Sequence, residues 1–146
     1  MAKSSARPIG VTALSIFFWA GALISLTSAV SLVFQGSFLE PMWRLNPRAR
    51  VAFSTIGGWA VVLLGTLCVA CASTALGLWC GSRWGYWCAV VLLAINLIGD
   101  ISNVVLGTEP RAAVGIPIVL AILWFLMRKR VRRFFTGPPE LVEPPQ

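Results

Sequence analysis

The chain alternates between long apolar stretches and short polar connections. A helix needs about 20 apolar residues to cross a bilayer core of about 30 Å, so each stretch predicts a transmembrane helix. The predicted spans cover approximately residues 8–34, 51–79, 84–106 and 112–127. The pattern therefore predicts an all-α fold: a polytopic membrane protein with one four-transmembrane-helix bundle over residues 1–135.

The segment after the last span contains RKRVRRFF and then a proline-rich tail. The last span has 16 residues, or about 24 Å, which is short for a bilayer. We expect the basic residues to continue this helix out of the membrane and to reach back to the interface. The tail, residues 136–146, is predicted to be disordered.

Composition supports a membrane protein. The chain is 58% hydrophobic and 12% charged, and its formal net charge is +7. The cations lie at the ends of the apolar stretches and never inside them, as topology signals do, so we expect no nucleic-acid partner. The expected partner is a bilayer whose anionic headgroups on the cytoplasmic side contact the C-terminal cluster, namely Arg128, Lys129, Arg130, Arg132 and Arg133.

Orientation follows from the cations in the connections. The side with both termini carries eight cations and the other side carries four, so both termini are predicted to be cytoplasmic. The aromatic residues fit a belt of interfacial side chains, with Tyr86 at the cytoplasmic surface and Trp43 at the outer one.

The connection between the first two spans is the longest. It mixes apolar side chains with Glu40 and Arg44, and we expect a short helix or turn on the membrane surface. Asn46 followed by Pro47 predicts an N-cap and a first-turn proline for the next helix.

The third span carries a polar stripe. Asn96, Asp100 and Asn103 are spaced by four and three residues and share one helical face. Three interpretations remain open: a structural seam in which Asp100 pairs with Arg48, Arg50 or Arg111; a proton or cation site in a transport path; or an early helix end that leaves Asp100 in wet headgroups.

The candidate catalytic chemistry is sparse. The chain has no histidine, which removes most metal sites and the Ser-His-Asp arrangement, so we expect no metal, no cofactor and no enzymatic activity. Cys68 and Cys71 form a C-x-x-C pattern, but they lie in the middle of a span without a cysteine pair in an outer loop. We interpret them as small apolar side chains.

Small residues recur every fourth position in the first two spans, as at Gly21, Ser25 and Ala29 and again at Ser73 and Gly77. This pattern lets transmembrane helices approach closely, and it favours a compact bundle or an oligomer contact.

Four short segments carry a resemblance: LEPMWRLNPRA, GSRWGYW, NLIGDISN and PRAAVGIPI. Together they resemble small uncharacterised four-helix integral membrane proteins of bacteria. The resemblance covers most of the chain, implies a multi-pass location in a bacterial inner membrane, and transfers no functional residue.

Three hypotheses for function follow. The first is a non-enzymatic accessory, assembly or interaction protein, either a homo-oligomer or a subunit of a membrane complex. The second is an oligomeric transporter or channel for a small solute, ion or proton that uses Asp100. The third is a membrane thiol redox protein that uses Cys68 and Cys71.

Overall fold

The computed structural model describes residues 9–34, 36, 38–107 and 112–136. It is all-helical over these residues, with six α-helices, one 3-10 helix and no strand. The helices are α1 (Ile9–Val33), the 3-10 helix (Glu40–Arg44), α2 (Pro47–Ile56), α3 (Gly58–Trp79), α4 (Arg83–Val105), α5 (Ala112–Met127) and α6 (Lys129–Thr136). The predicted tail lies outside the described residues except for Thr136.

Three helices, α1, α3 and α4, are long and apolar enough to cross a membrane. A fourth crossing is available where the structure describes α5 and α6, which pass the same test only as a pair bent by 60°. The chain is thus a helical protein with three to four candidate membrane-spanning helices, as expected of a multi-pass membrane protein.

The segment predicted as one span over residues 51–79 contains two helices. Gly57 separates α2 from α3 and has φ 64° and ψ −137°, a backbone conformation that side chains other than hydrogen disfavour. The local prediction for the start of α2 is confirmed: Asn46 is its N-cap, and its side-chain oxygen accepts a hydrogen bond from the Ala49 N–H at 3.1 Å. The predicted short helix before it is the 3-10 helix.

The expected continuation of α5 through the basic segment is wrong. The helix breaks at Arg128, and α6 turns away at 60°. Val131 and Phe135 of α6 are buried in the main core, and this burial of apolar surface explains why the segment turns back onto the bundle.

The bundle is closed at one end. The α1–α3 contact is the most extensive, and in it the Ser15 hydroxyl donates a 2.8 Å hydrogen bond to the Ala75 carbonyl. At the same end α3 and α4 meet at a short turn, and α5 packs against α4. The core cluster lies mostly in this half, with Leu78, Tyr86, Leu93 and Leu126 among its least exposed members.

The other half of the bundle is open. No residue of α4 after Leu93 is buried. In the most apolar window of each helix, 11% of α4 is buried inside the chain, compared with 33% of α1 and of α3. The bundle therefore splays toward the end that carries the 3-10 helix and α2.

Candidate functional site

The open half contains a groove of about 900 Å³ between α1, α3 and α4. Its lining is almost entirely apolar, with Phe17 and Phe18 from α1 and Trp59 from α3. The side of the groove formed by α4 ends at Asn96, one of the three residues of the predicted polar stripe. The groove therefore combines apolar walls with one carboxamide that carries both a hydrogen-bond donor and an acceptor.

The rest of the stripe is divided between two surroundings. Asn96 and Asn103 are exposed, whereas Asp100 is half-buried on the side of α4 that faces α5. Asn103 takes part in a polar or electrostatic interaction. The structure thus does not bring the three side chains into one site: the two asparagines belong to the open surface and the aspartate to the α4–α5 contact.

The Asp100 carboxylate lies against Gly115. A Cβ on residue 115 would lie 2.6 Å from Asp100 Oδ2, so any larger residue there would have to push the carboxylate aside. Gly115 is the fourth residue of α5, and the first turn of α5 contains no acidic residue. A negative charge is favourable beside a helix N-terminus because the first backbone N–H groups lack intrahelical partners. Asp100 can therefore stabilise α5 from the neighbouring helix.

The predicted ion-pair partners of Asp100 lie elsewhere or outside the described residues. Arg48 and Arg50 are exposed on α2, which packs on the 3-10 helix and on α3, and each takes part in a polar or electrostatic interaction. Arg111 lies outside the described residues. The ion pair stays a prediction.

The cysteines are free and dispersed. Cys71 is buried, Cys68 is half-buried, and Cys80 and Cys88 are exposed near the α3–α4 turn. Cys71 packs on the small-residue side of α1, where its Sγ would lie 3.7 Å from a Cβ on Gly21. This contact gives Cys71 a packing role between two helices.

The cationic cluster has a defined geometry. Lys129, Arg132 and Arg133 lie on one side of α6, opposite the buried Val131 and Phe135, because residues three and four apart share a helical face. Arg128, just before α6, places its guanidinium 4.2 Å from the centre of the Trp124 ring. All five predicted lipid-contact cations are exposed.

Two aromatic residues predicted at the membrane interface are buried inside the protein. Tyr86 is 4% exposed, and its hydroxyl donates a hydrogen bond to the Leu126 carbonyl at 3.3 Å. The Trp43 indole N–H donates to Ser31 Oγ at 2.8 Å and fixes the 3-10 helix to the end of α1. An aromatic ring with one polar group suits both places, because in each the polar group finds a partner.

Sequence reasoning overlooked Gly115 and Gly85. A stronger signal was present at Gly85, since GLWCGSRWG contains Gly77, Gly81 and Gly85 around a short turn. No comparable signal marks Gly115, whose importance depends on which residue of α4 it meets.

Comparison with protein-family models, with curated proteins and with solved structures found no match to this chain.

Proposed function

We propose that this protein is a non-enzymatic membrane protein that acts by assembling with other transmembrane helices, in the first place with a second copy of itself. The observation that supports this is the open half of the bundle, where α4 leaves its surface uncovered and presents the groove that ends at Asn96. The proposal includes four spans, with α5 as the last, both termini in the cytoplasm, and a bacterial inner membrane.

The position of Asn96 explains why this surface is expected to bind another transmembrane helix. Asn96 is 13 residues after Arg83, or about 20 Å along α4, which corresponds to the interior of a bilayer core of about 30 Å. A carboxamide in hydrocarbon is unfavourable unless it forms hydrogen bonds, and asparagine side chains in membranes commonly bond across helices.

The neighbouring backbone permits such a contact. Gly99 lies one helical turn from Asn96, and no atom lies within 4 Å of the position that its Cβ would occupy. A second helix can therefore approach closely beside Asn96. Because a carboxamide both donates and accepts, two copies of this surface related by a twofold axis complement each other.

The orientation is supported by how the ends of the helices meet. Gly10 near the start of α1 packs against Phe125 near the end of α5, and Phe134 of α6 packs on Gly81 in the α3–α4 turn. These contacts place six cations at one end, namely Arg83, Arg128, Lys129, Arg130, Arg132 and Arg133. The end with more cations faces the cytoplasm.

The test is photo-crosslinking in intact membranes. A photoreactive residue at position 95, where Ile95 is 60% exposed and lines the groove beside Asn96, is expected to give a covalent dimer. The matched control is position 76, because Leu76 is 50% exposed on α3 and lies outside the groove. Adducts to another membrane protein at position 95 alone would favour a heteromeric complex, whereas equal products at both positions, or none, would contradict the proposal.

The two other hypotheses make distinct predictions. In the transporter hypothesis, Asp100→Asn stops flux in liposomes while yield and thermal stability are unchanged. In the thiol redox hypothesis, a Cys68→Ser, Cys71→Ser double variant loses activity in vivo. The buried position of Cys71 against α1 and the contact of Asp100 with Gly115 favour structural roles for both residues.

A further inference from the structure

We propose that the outward side of α6 is a preformed docking surface for the headgroups of anionic phospholipids. The surface consists of Lys129, Arg132 and Arg133, with Arg130 at its edge. It does not depend on self-assembly through α4, because it lies at the closed end of the bundle.

The apolar side of α6 is packed against the bundle. Phe135 stacks on Tyr86 with ring centroids 5.4 Å apart, and it meets Phe134 at 5.0 Å. Val131 and Phe135 are each 3% exposed. An amphipathic helix that binds a membrane by insertion needs its apolar side free. In α6 that side is already covered by the bundle, so only the cationic side remains available and contact with lipid is through headgroups.

The start of α6 lies at the level of the lipid headgroups. Arg128 stacks on Trp124, whose side chain is 64% exposed near the end of α5. Exposed tryptophan side chains at the ends of transmembrane helices favour the headgroup level of the bilayer. Because α6 begins at the next residue and is inclined by 60° to α5, it runs more along the bilayer surface than across it.

The cations of α6 are not offset by a described acid. Among the described side chains the one acid is Asp100, which lies beside the start of α5 and not near α6. Four exposed cations within five residues therefore create a local positive potential that attracts an anionic leaflet and decays over about 10 Å at moderate salt.

The experiment measures the affinity of the full chain for phosphatidylglycerol in neutral detergent, by native mass spectrometry, with phosphatidylcholine as the neutral comparison. We expect selective binding of phosphatidylglycerol. Near an anionic surface each cation is worth about a fivefold change in affinity, so Arg132→Gln with Arg133→Gln is expected to weaken it about 25-fold. Arg132→Lys with Arg133→Lys is expected to retain most of it.

The matched control removes two exposed cations from the opposite end, Arg44→Gln with Arg48→Gln, and is expected to leave phosphatidylglycerol binding unchanged. Thermal unfolding without lipid verifies that all variants fold. Equal binding of phosphatidylcholine, equal losses in both glutamine variants, or full displacement of phosphatidylglycerol by inorganic phosphate would each overturn the proposal. A failure of crosslinking at position 95 would leave it intact.

Discussion

Gly77 and Gly85 lie backbone against backbone where α3 meets α4. A Cβ on Gly77 would lie 2.6 Å from the Cα of Gly85, closer than real Cβ atoms approach other atoms. Ser82 completes the turn: its hydroxyl donates to the Gly77 carbonyl at 2.8 Å and accepts from the Gly85 N–H at 3.3 Å. This contact closes the bundle at the end opposite to the groove.

Gly77→Ala is therefore expected to destabilise the protein by about 1–3 kcal/mol, because the added methyl group forces two backbones apart. The measurement is thermal unfolding in detergent. Gly65→Ala on the same helix is the control, since nothing lies within 4 Å of its Cβ position, and it is expected to be neutral or slightly stabilising. Equal melting temperatures for the two variants would show that α3 and α4 do not touch at Gly77.

Asp100 and Gly115 are expected to be energetically coupled. Gly115→Ala places a methyl group in the space of the carboxylate, which must rotate aside at a cost of about 0.5–1.5 kcal/mol. In an Asp100→Ala background that space is free, so the same substitution is expected to cost much less. A double-mutant cycle on thermal stability measures the difference. Additive effects would mean that the carboxylate does not lie against α5.

The hydroxyl and the ring of Tyr86 are expected to make separable contributions. Tyr86→Phe removes one hydrogen bond to Leu126, at a cost of about 0.5–1.5 kcal/mol, and keeps the ring that stacks on Phe135. Tyr86→Ala removes the ring and is expected to cost about 3–5 kcal/mol.

The loss of the Tyr86 ring has a second, local readout. Because α6 is rich in arginine and lysine, its release from the bundle is expected to raise the rate of tryptic cleavage between residues 129 and 133. Tyr86→Phe serves as the control with an unchanged rate. Identical digestion of the phenylalanine and alanine variants would contradict the packing of α6 on Tyr86.

The link between Trp43 and Ser31 is expected to hold the first connection to α1. Ser31→Ala leaves the indole N–H without its partner, with an expected loss of about 1–3 kcal/mol because both side chains are buried. Trp43→Phe keeps an aromatic ring beside Phe53 but has no N–H to satisfy. The serine substitution is expected to cost less in that background, and a cycle without coupling would exclude the bond.

The sequence predicts those features that depend on residues close together in the chain. The apolar runs identify the long helices, and the Asn46–Pro47 pair identifies the start of α2, because capping depends on residues three positions apart. The break at Gly57 is a local feature too, but a glycine inside an apolar run is common in membrane helices and does not by itself predict a positive φ.

Contacts between distant segments could not be predicted in this way. The polar stripe on α4 is visible as a period, yet its division into an open side and a side facing Gly115 depends on how α5 packs. Similarly, the phenylalanines after the last span suit both lipid and core. Only the position of Tyr86 determines that Phe135 is buried in the bundle.

The packing of α6 on the α3–α4 turn also has a consequence for biosynthesis. About forty residues separate Tyr86 from Lys129, so during translation the turn emerges well before the helix that covers it. Until α6 is made, the Tyr86 ring and the Gly81 backbone lack the phenylalanine neighbours that α6 supplies. The α3–α4 turn can therefore complete its packing only after α6 has been translated.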